Sequence, residues 1–154
     1  MPTLVRNRQE EFMLKHIKLF RKKRVLDVGS GQPARYRHWF RRSLYFPFDK
    51  RTGTDVCEGI PMQGDCAYCT NVLEHVIDPA AVLRNIRKAI GTGYLLITVP
   101  MVHELHFVPN DYYRFTDEFP HLLGIFGFEV LDKEIALDEE VGTKMMFVLC
   151  KGKE

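Results

Sequence analysis

The stretch Arg24-Val25-Leu26-Asp27-Val28-Gly29-Ser30-Gly31-Gln32-Pro33-Ala34 is where the fold can be read. Val25, Leu26 and Val28 form the short apolar run of a buried strand. Gly29-Ser30-Gly31 breaks it. Pro33 then predicts a helix from about that point, because its missing N–H would have no partner in a first helical turn. Two glycines at a strand-to-helix turn remove the Cβ atoms that would hold a ligand off the backbone, and the helix start offers unpaired N–H groups. A small polar ligand is therefore expected across Gly29, Ser30 and Gly31, and Asp27 decides which.

Gly-x-Gly-x-x-Ala is also acceptable as a dinucleotide fingerprint, with a pyrophosphate on the glycine turn. A carboxylate two residues before the first glycine would lie close to that negative charge, whereas it suits a cationic ligand. With Asp27 included, Val25-Leu26-Asp27-Val28-Gly29-Ser30-Gly31 resembles the first motif of the class I S-adenosylmethionine-dependent methyltransferases. The resemblance implies that Asp27 helps hold the aminoacyl end of that cofactor, directly or through water.

At 154 residues the chain suits one domain, residues 1–154, with a single core. Hydrophobic residues at 45% and charged residues at 27% are ordinary for a globular protein. No apolar run approaches a membrane span, and Met1 to Glu11 lacks a signal-peptide core, so a cytoplasmic location is expected. A formal charge of +2 does not point to nucleic acid. The basic cluster at Arg21 to Arg24, and that at Arg35, Arg37, Arg41 and Arg42, read as solvated surface. An anionic or RNA surface is the minority reading. Cys66 and Cys69 have redox or zinc spacing but fall in an expected strand, where residues three apart face opposite ways. They and Cys57 and Cys150 are expected to be reduced and mostly buried.

Phe12, Met13, Ile17 and Phe20 predict an amphipathic helix from about Gln9 to Phe20. Tyr36, Trp39 and Phe40 give the helix after the glycine turn an aromatic inner face. Leu44 to Phe48 is the second strand and ends at Asp49, 18 residues after Gly31. An acid there can accept hydrogen bonds from both ribose hydroxyls. Only five residues separate Asp49 from Asp55, fewer than a parallel crossover needs. The family's next helix must therefore be missing, with its third strand absent or a stub at Thr54 to Cys57. By resemblance Asp55 meets the adenine amino group and the Val56 amide a ring nitrogen.

Asp65 to Thr70 reads as a central strand running into Asn71-Val72-Leu73-Glu74-His75-Val76-Ile77-Asp78-Pro79. This resembles the fourth-strand exit of many small methyltransferases of the class, and it puts Asn71 and Val72 along the methionine part of the cofactor. His75 has a pKa suited to general-base work, or it anchors the loop. The anchoring role is favoured, since many family members carry this His. A Glu-x-x-Glu-His metal motif would need a Glu where Asn71 stands, so no metal is expected. Asp78-Pro79 opens a helix to about Ile90, and Tyr94 to Val99 is a strand.

Pro100 to Thr116 is a long, aromatic, irregular stretch of the kind that is usually functional. By resemblance it roofs the substrate pocket, with His103 a second catalytic candidate and His106, Asp111, Tyr112, Tyr113 and Arg114 facing or framing the substrate. The plainer reading pairs Arg114 with Asp111 or Glu118. A helix from Thr116 to about Phe126 comes next, then a strand from Gly127. Leu137 to Thr143 is a linking loop, and an antiparallel last strand covers Met145 to Cys150.

The expected fold is α/β, a doubly wound Rossmann-like three-layer sandwich with a mostly parallel sheet. The expected function is methyl transfer from S-adenosylmethionine to a small metabolite by in-line displacement, releasing S-adenosylhomocysteine. The alternative is a non-catalytic cofactor- or partner-binding subunit, since the trimmed sheet edge offers a place for a second copy or another protein. A nicotinamide-dependent oxidoreductase is disfavoured by Asp27, by the Leu-Glu-His segment and by the lack of room for a catalytic domain.

Overall fold

The computed structural model describes residues 4–31, 36–106 and 110–154. Six strands form one sheet: β1 (Arg24–Val28), β2 (Leu44–Phe48), β3 (Cys66–Thr70), β4 (Tyr94–Val102), β5 (Phe128–Asp138) and β6 (Thr143–Gly152). Their order is β2-β1-β3-β4-β6-β5. The first four are parallel, and β6 runs antiparallel to both β4 and β5. This is the doubly wound, mostly parallel sheet with an antiparallel last strand that the sequence implies. No strand forms at Thr54 to Cys57, so β2 is the outer strand of the described sheet.

Alternation along each strand splits the core into two layers. Leu26, Val28, Ala67, Cys69, Leu95 and Ile97 face α2 (Pro79–Ile90) and α3 (Phe119–Ile125), where Leu83, Ile86 and Leu123 complete one cluster. Val25, Cys66, Tyr68, Leu96 and Phe147 face α1 (Leu4–His16), packing with Phe12 and Met13. Cys66 and Cys69 thus lie on opposite faces, and all four cysteines are free thiols. No described helix is long and apolar enough to cross a membrane.

Several boundaries differ from expectation. Among the described residues α1 already runs from Leu4 rather than Gln9, and the Leu4 N–H donates to Oδ2 of Asp138 at 3.0 Å. Ile17 to Phe20 tightens into a 3-10 turn. Of the helix expected after the glycine turn, Gln32 to Arg35 lie outside the described residues, and the next element is only a 3-10 turn, Arg37–Phe40. Its aromatic face still packs on the sheet: Tyr36 lies 5.1 Å and Phe40 5.6 Å from the Tyr68 ring. α3 is shorter than expected, with Pro120 in its first turn, and β4, β5 and β6 each extend further. The expected loop from Leu137 shrinks because Leu137 and Asp138 still pair with Lys144 and Thr143.

Candidate active site

The sheet order reverses between β1 and β3, and at the carboxyl ends of these strands lies a cleft of about 670 Å³. One wall is the glycine turn. Gly29 (φ +74°) and Gly31 (φ +67°) both adopt the left-handed conformation that favours glycine. A Cβ at Gly29 would stand 2.3 Å from Cγ2 of Val72, so the turn and the β3 exit touch backbone to side chain. At Gly31 a Cβ would meet no described atom within 4 Å, and the missing methyl leaves open space in the described cleft wall. The turn's own amides are engaged: Gly29 and Ser30 donate to the Phe48 carbonyl at 2.8 and 3.1 Å, and Gly31 to Oδ2 of Asp49 at 3.0 Å. What the described turn gives a ligand is room.

Asp49 comes directly after β2 and lines the cleft while holding two loops together. Its Oδ2 accepts from Gly31, and its Oδ1 from the Arg51 N–H at 2.9 Å. Asp55 also lines the cleft. The Cys57 N–H at 3.0 Å and the Lys50 ammonium at 3.1 Å hold its carboxyl below the usual range. Val56 lies beside it, with its carbonyl accepting from the Asn85 amide at 2.9 Å. Asp27 is outside the cleft's described lining. It is 1% exposed, on the α1 side of the sheet, where Oδ2 accepts the Tyr45 hydroxyl. Burial pushes its carboxyl up to about 7 against the opposing effect of the Tyr45 hydrogen bond, with the Asp49 charge adding to the rise.

The opposite wall is the β3 exit. Asn71 holds φ at +53°, a conformation uncommon outside glycine though tolerated by Asn, and its Oδ1 accepts the Thr98 hydroxyl at 2.7 Å. Val72, His75, Val76 and Ile77 continue the wall, and Asn110 and Tyr112 reach it from the roof. His75 places Nδ1 2.8 Å from the Asn110 carbonyl and Nε2 3.7 Å from Oε1 of Glu74. Tyr112 donates its N–H to the Glu74 carbonyl at 2.7 Å.

The roof candidates separate by position. Tyr112 lines the cleft, while the His106 ring lies 4.9 Å from the His75 ring, tilted by 51°. Asp111 and Arg114 form a two-pronged ion pair at 2.5 and 2.7 Å, and the guanidinium also donates to the carbonyls of His103, Glu104 and Tyr113. That pair is the plainer of the two readings. Tyr113 donates its hydroxyl to the Ile77 carbonyl at 2.8 Å, and His103 pairs Nδ1 with the Thr143 hydroxyl at 3.0 Å. Gly29, Gly31, Asp49, Asp55, Val56, Asn71, Val72, His75 and Tyr112 are thus brought to one cleft. Ser30 is 6% exposed with its hydroxyl turned to the Gly31 carbonyl, and it lies outside the described lining. Among the described residues no group of His, Cys, Asp and Glu could hold a metal ion.

Sequence reasoning did not single out Lys50, Asn110 or Tyr45, and it weighed Glu74 only as a member of the disfavoured metal motif. Lys50 and Asn110 carry no pattern that separates them from turn residues. Tyr45 shares a face with Asp27 because β1 and β2 pair Val25 with Tyr45 and Asp27 with Pro47, a register no local pattern gives away. Glu74 is 3% exposed, and among the described residues its Oε2 has no hydrogen-bond partner.

A family model described as "Methyltransferase domain" matches residues 4–131. No curated protein matches the sequence. Among solved structures, the chain resembles the Burkholderia thailandensis 1,6-didemethyltoxoflavin-N1-methyltransferase bound to 1,6-didemethyltoxoflavin and S-adenosylhomocysteine. They share 17% identity over 96% of this chain and 77% of that one, with a TM-score of 0.67. A Haemonchus contortus phosphoethanolamine N-methyltransferase with S-adenosylhomocysteine aligns at 14% identity and TM-score 0.69, over 96% of this chain and 53% of the longer one. The [4+2]-cyclase SpnF aligns at 15% identity and TM-score 0.67, over 96% and 81% of the two chains. At these identities the likeness is one of fold.

Proposed function

Since the chain belongs to the methyltransferase domain family, we propose that it binds S-adenosylmethionine in the cleft and transfers its methyl group to a small-molecule acceptor. The observation that carries this reading is one cleft joining the glycine turn and Asp49 to the Asn71–Ile77 wall at the switch point of the sheet. The residues present fit such a donor. Gly31 leaves the wall open, Asp49 and Asp55 offer carboxylates for a ribose and an adenine amino group, and Asn71 and Val72 flank the stretch between them and the roof. Asp27 lies behind the turn as a buried acid that a cation nearby would help to ionise.

When bound, S-adenosylmethionine supplies a methyl already activated on a sulfonium for in-line displacement. The chain's own part is geometric. Asp49 ties Gly31 to Arg51 and so fixes the turn while presenting its remaining acceptor capacity to the cleft. Asn110 and Tyr112 narrow the acceptor end, and holding an acceptor in line there is worth several kcal/mol or more. A base is needed only for an acceptor that arrives protonated. His103 lies outside the described lining, and His75 turns both nitrogens toward protein groups, which supports positioning over proton abstraction.

Isothermal titration with S-adenosylmethionine and S-adenosylhomocysteine tests the proposal. Micromolar binding of either, lost in Asp49→Ala, supports it. The absence of heat for both overturns it and favours the second reading, a non-catalytic partner-binding subunit. That reading draws on β2, whose outer edge is unpaired among the described strands and lies beside a groove lined by Arg37 and Arg41. Size-exclusion chromatography across salt concentrations would then ask whether that edge joins two copies.

A further inference from the structure

We infer that Glu74 is a positioning residue: from behind the cleft wall, its carboxyl faces Nε2 of His75 and thereby holds His75 as the tautomer that pins Asn110 and Tyr112 over the acceptor end.

His75 stands between two oxygens, the Asn110 carbonyl 2.8 Å from Nδ1 and Oε1 of Glu74 3.7 Å from Nε2. A carbonyl can only accept, so the bond to Asn110 requires the proton on Nδ1. A neutral imidazole with its proton there has a bare lone pair on Nε2, facing Glu74. If Glu74 is protonated, its O–H can turn to that lone pair, and both contacts are favourable once the 3.7 Å gap, which is longer than a hydrogen bond, closes. If the shared proton sits on the imidazole instead, both nitrogens donate and both contacts again hold. Once that proton leaves, a carboxylate and a carbonyl compete for the single N–H of a neutral ring.

The surroundings favour keeping the proton. Glu74 is 3% exposed, and its Oε2 has no partner among the described residues. Arg114, whose charge favours the carboxylate, already donates to Asp111 and to three backbone carbonyls. Asp111, the other charged group facing Glu74, is an anion and resists its ionisation. The Cys69 thiol, whose pKa burial holds well up, stays neutral. Burial chiefly, with Asp111 adding, pushes Glu74 up to about 7 against the opposing effects of its own backbone N–H and of the Arg114 charge. Around His75, burial chiefly, with His106 and Arg114, disfavours the doubly protonated ring, while the Asn110 carbonyl and Asp111 favour it. Glu74 therefore keeps its proton up to about pH 7 and loses it above.

The consequence reaches the cleft because Asn110 and Tyr112 both line it and both are tied to this pair. Asn110 is held by its carbonyl to the His75 ring, and Tyr112 by its N–H to the Glu74 carbonyl at 2.7 Å. Above the titration of the pair, the Nδ1–Asn110 bond gives way to Nε2–Glu74, and this part of the roof loosens. Its bearing on methyl transfer rests on the proposed function, but its test uses neither cofactor nor acceptor.

Nitrogen-15 NMR of the His75 imidazole reads the tautomer directly. The wild-type protein is expected to hold the proton on Nδ1 at pH 6 and to shift toward Nε2 between pH 7 and 9, with faster amide exchange at Tyr112 over the same interval. Glu74→Gln is expected to keep the proton on Nδ1 throughout, because the Gln amide donates to Nε2 at every pH. A wild-type ring that at pH 6 carries a proton on Nε2 and none on Nδ1, or the same pH response in Glu74→Gln as in the wild type, overturns the inference. If Glu74→Gln does not fold, the carboxyl carbon of Glu74 is titrated in wild type and in His75→Gln. A midpoint unmoved by the loss of His75 also overturns it.

Discussion

The hydroxyl of Tyr45 donates to Oδ2 of Asp27 across the β1–β2 pair, beneath the glycine turn and on the α1 side of the sheet. The contact softens but does not cancel the cost of burying a carboxylate there, and Asp27 rises to about 7. An acid raised on folding binds a proton in the native state that the unfolded chain has released, so its share of stability is present below the unfolded pKa and is lost as pH rises through about 7. Asp27→Asn removes that loss. At pH 8 the variant should be more stable than wild type by roughly 2–4 kcal/mol, with the difference shrinking toward pH 4. Urea unfolding at the two pH values measures it. The same variant should bind S-adenosylmethionine more weakly, since it can no longer ionise for a cation.

Asp49 carries structure and binding together, and the two separate by substitution. Asp49→Ala leaves the Gly31 and Arg51 amides without their acceptor, at a cost of about 1–3 kcal/mol. Asp49→Asn keeps one carbonyl oxygen for one of those amides and loses the charge. We expect binding of S-adenosylhomocysteine to fall at least 100-fold in the alanine variant. The asparagine variant should fall less, with its melting temperature closer to wild type. Titration calorimetry beside thermal unfolding checks both.

Arg114 and Asp111 clamp the described roof through a two-pronged ion pair and three carbonyl contacts. Arg114→Ala leaves Asp111, whose side chain is 2% exposed, without its cation. A loss of about 3 kcal/mol or more is expected, because removing one partner strands the other. The Arg114 contact holds Asp111 well below the usual carboxylate range, so the clamp stabilises at neutral pH and its contribution is lost only as pH falls into the acid range. Amide exchange at Phe115, whose N–H donates to the Pro100 carbonyl, should speed up in the variant at neutral pH.

These sites also mark how far the sequence could be read. β1, the glycine turn, Asp49 and the β3 exit were legible because each is a local pattern: an apolar run, a break, an acid at a strand end. The missing third strand was legible from length alone, since the residues between Asp49 and Asp55 cannot make a parallel crossover. The contents of the site were less legible where they depend on register or distance. Asp138 accepts the Leu4 N–H of α1 from 134 residues away, and Tyr45 meets Asp27 only through strand pairing. Both Asp111 and Tyr112 were expected near substrate, yet a single step along the roof turns one into the Arg114 clamp and the other into the cleft. No periodicity governs an irregular segment, so nothing in the sequence distinguishes those two directions.

The two glycines of the turn give the sharpest contrast, because the same substitution should act on different quantities. Gly29→Ala places a methyl 2.3 Å from Cγ2 of Val72 at a φ of +74°, so it meets both a clash and left-handed strain. A stability loss of about 2–4 kcal/mol is expected. Gly29→Ala combined with Val72→Ala should recover the clash but not the strain, leaving roughly 1 kcal/mol from the turn in addition to the cost of Val72→Ala itself. Gly31→Ala has the strain at φ +67° but no neighbour within 4 Å among the described residues, so it should cost only about 1 kcal/mol of stability. Its methyl stands in the cleft wall, however, and S-adenosylhomocysteine affinity should fall tenfold or more while the protein stays folded. Thermal melts and titration calorimetry on the three variants separate the roles. If Gly31→Ala bound the product as tightly as wild type, the ligand would not lie across the glycine turn.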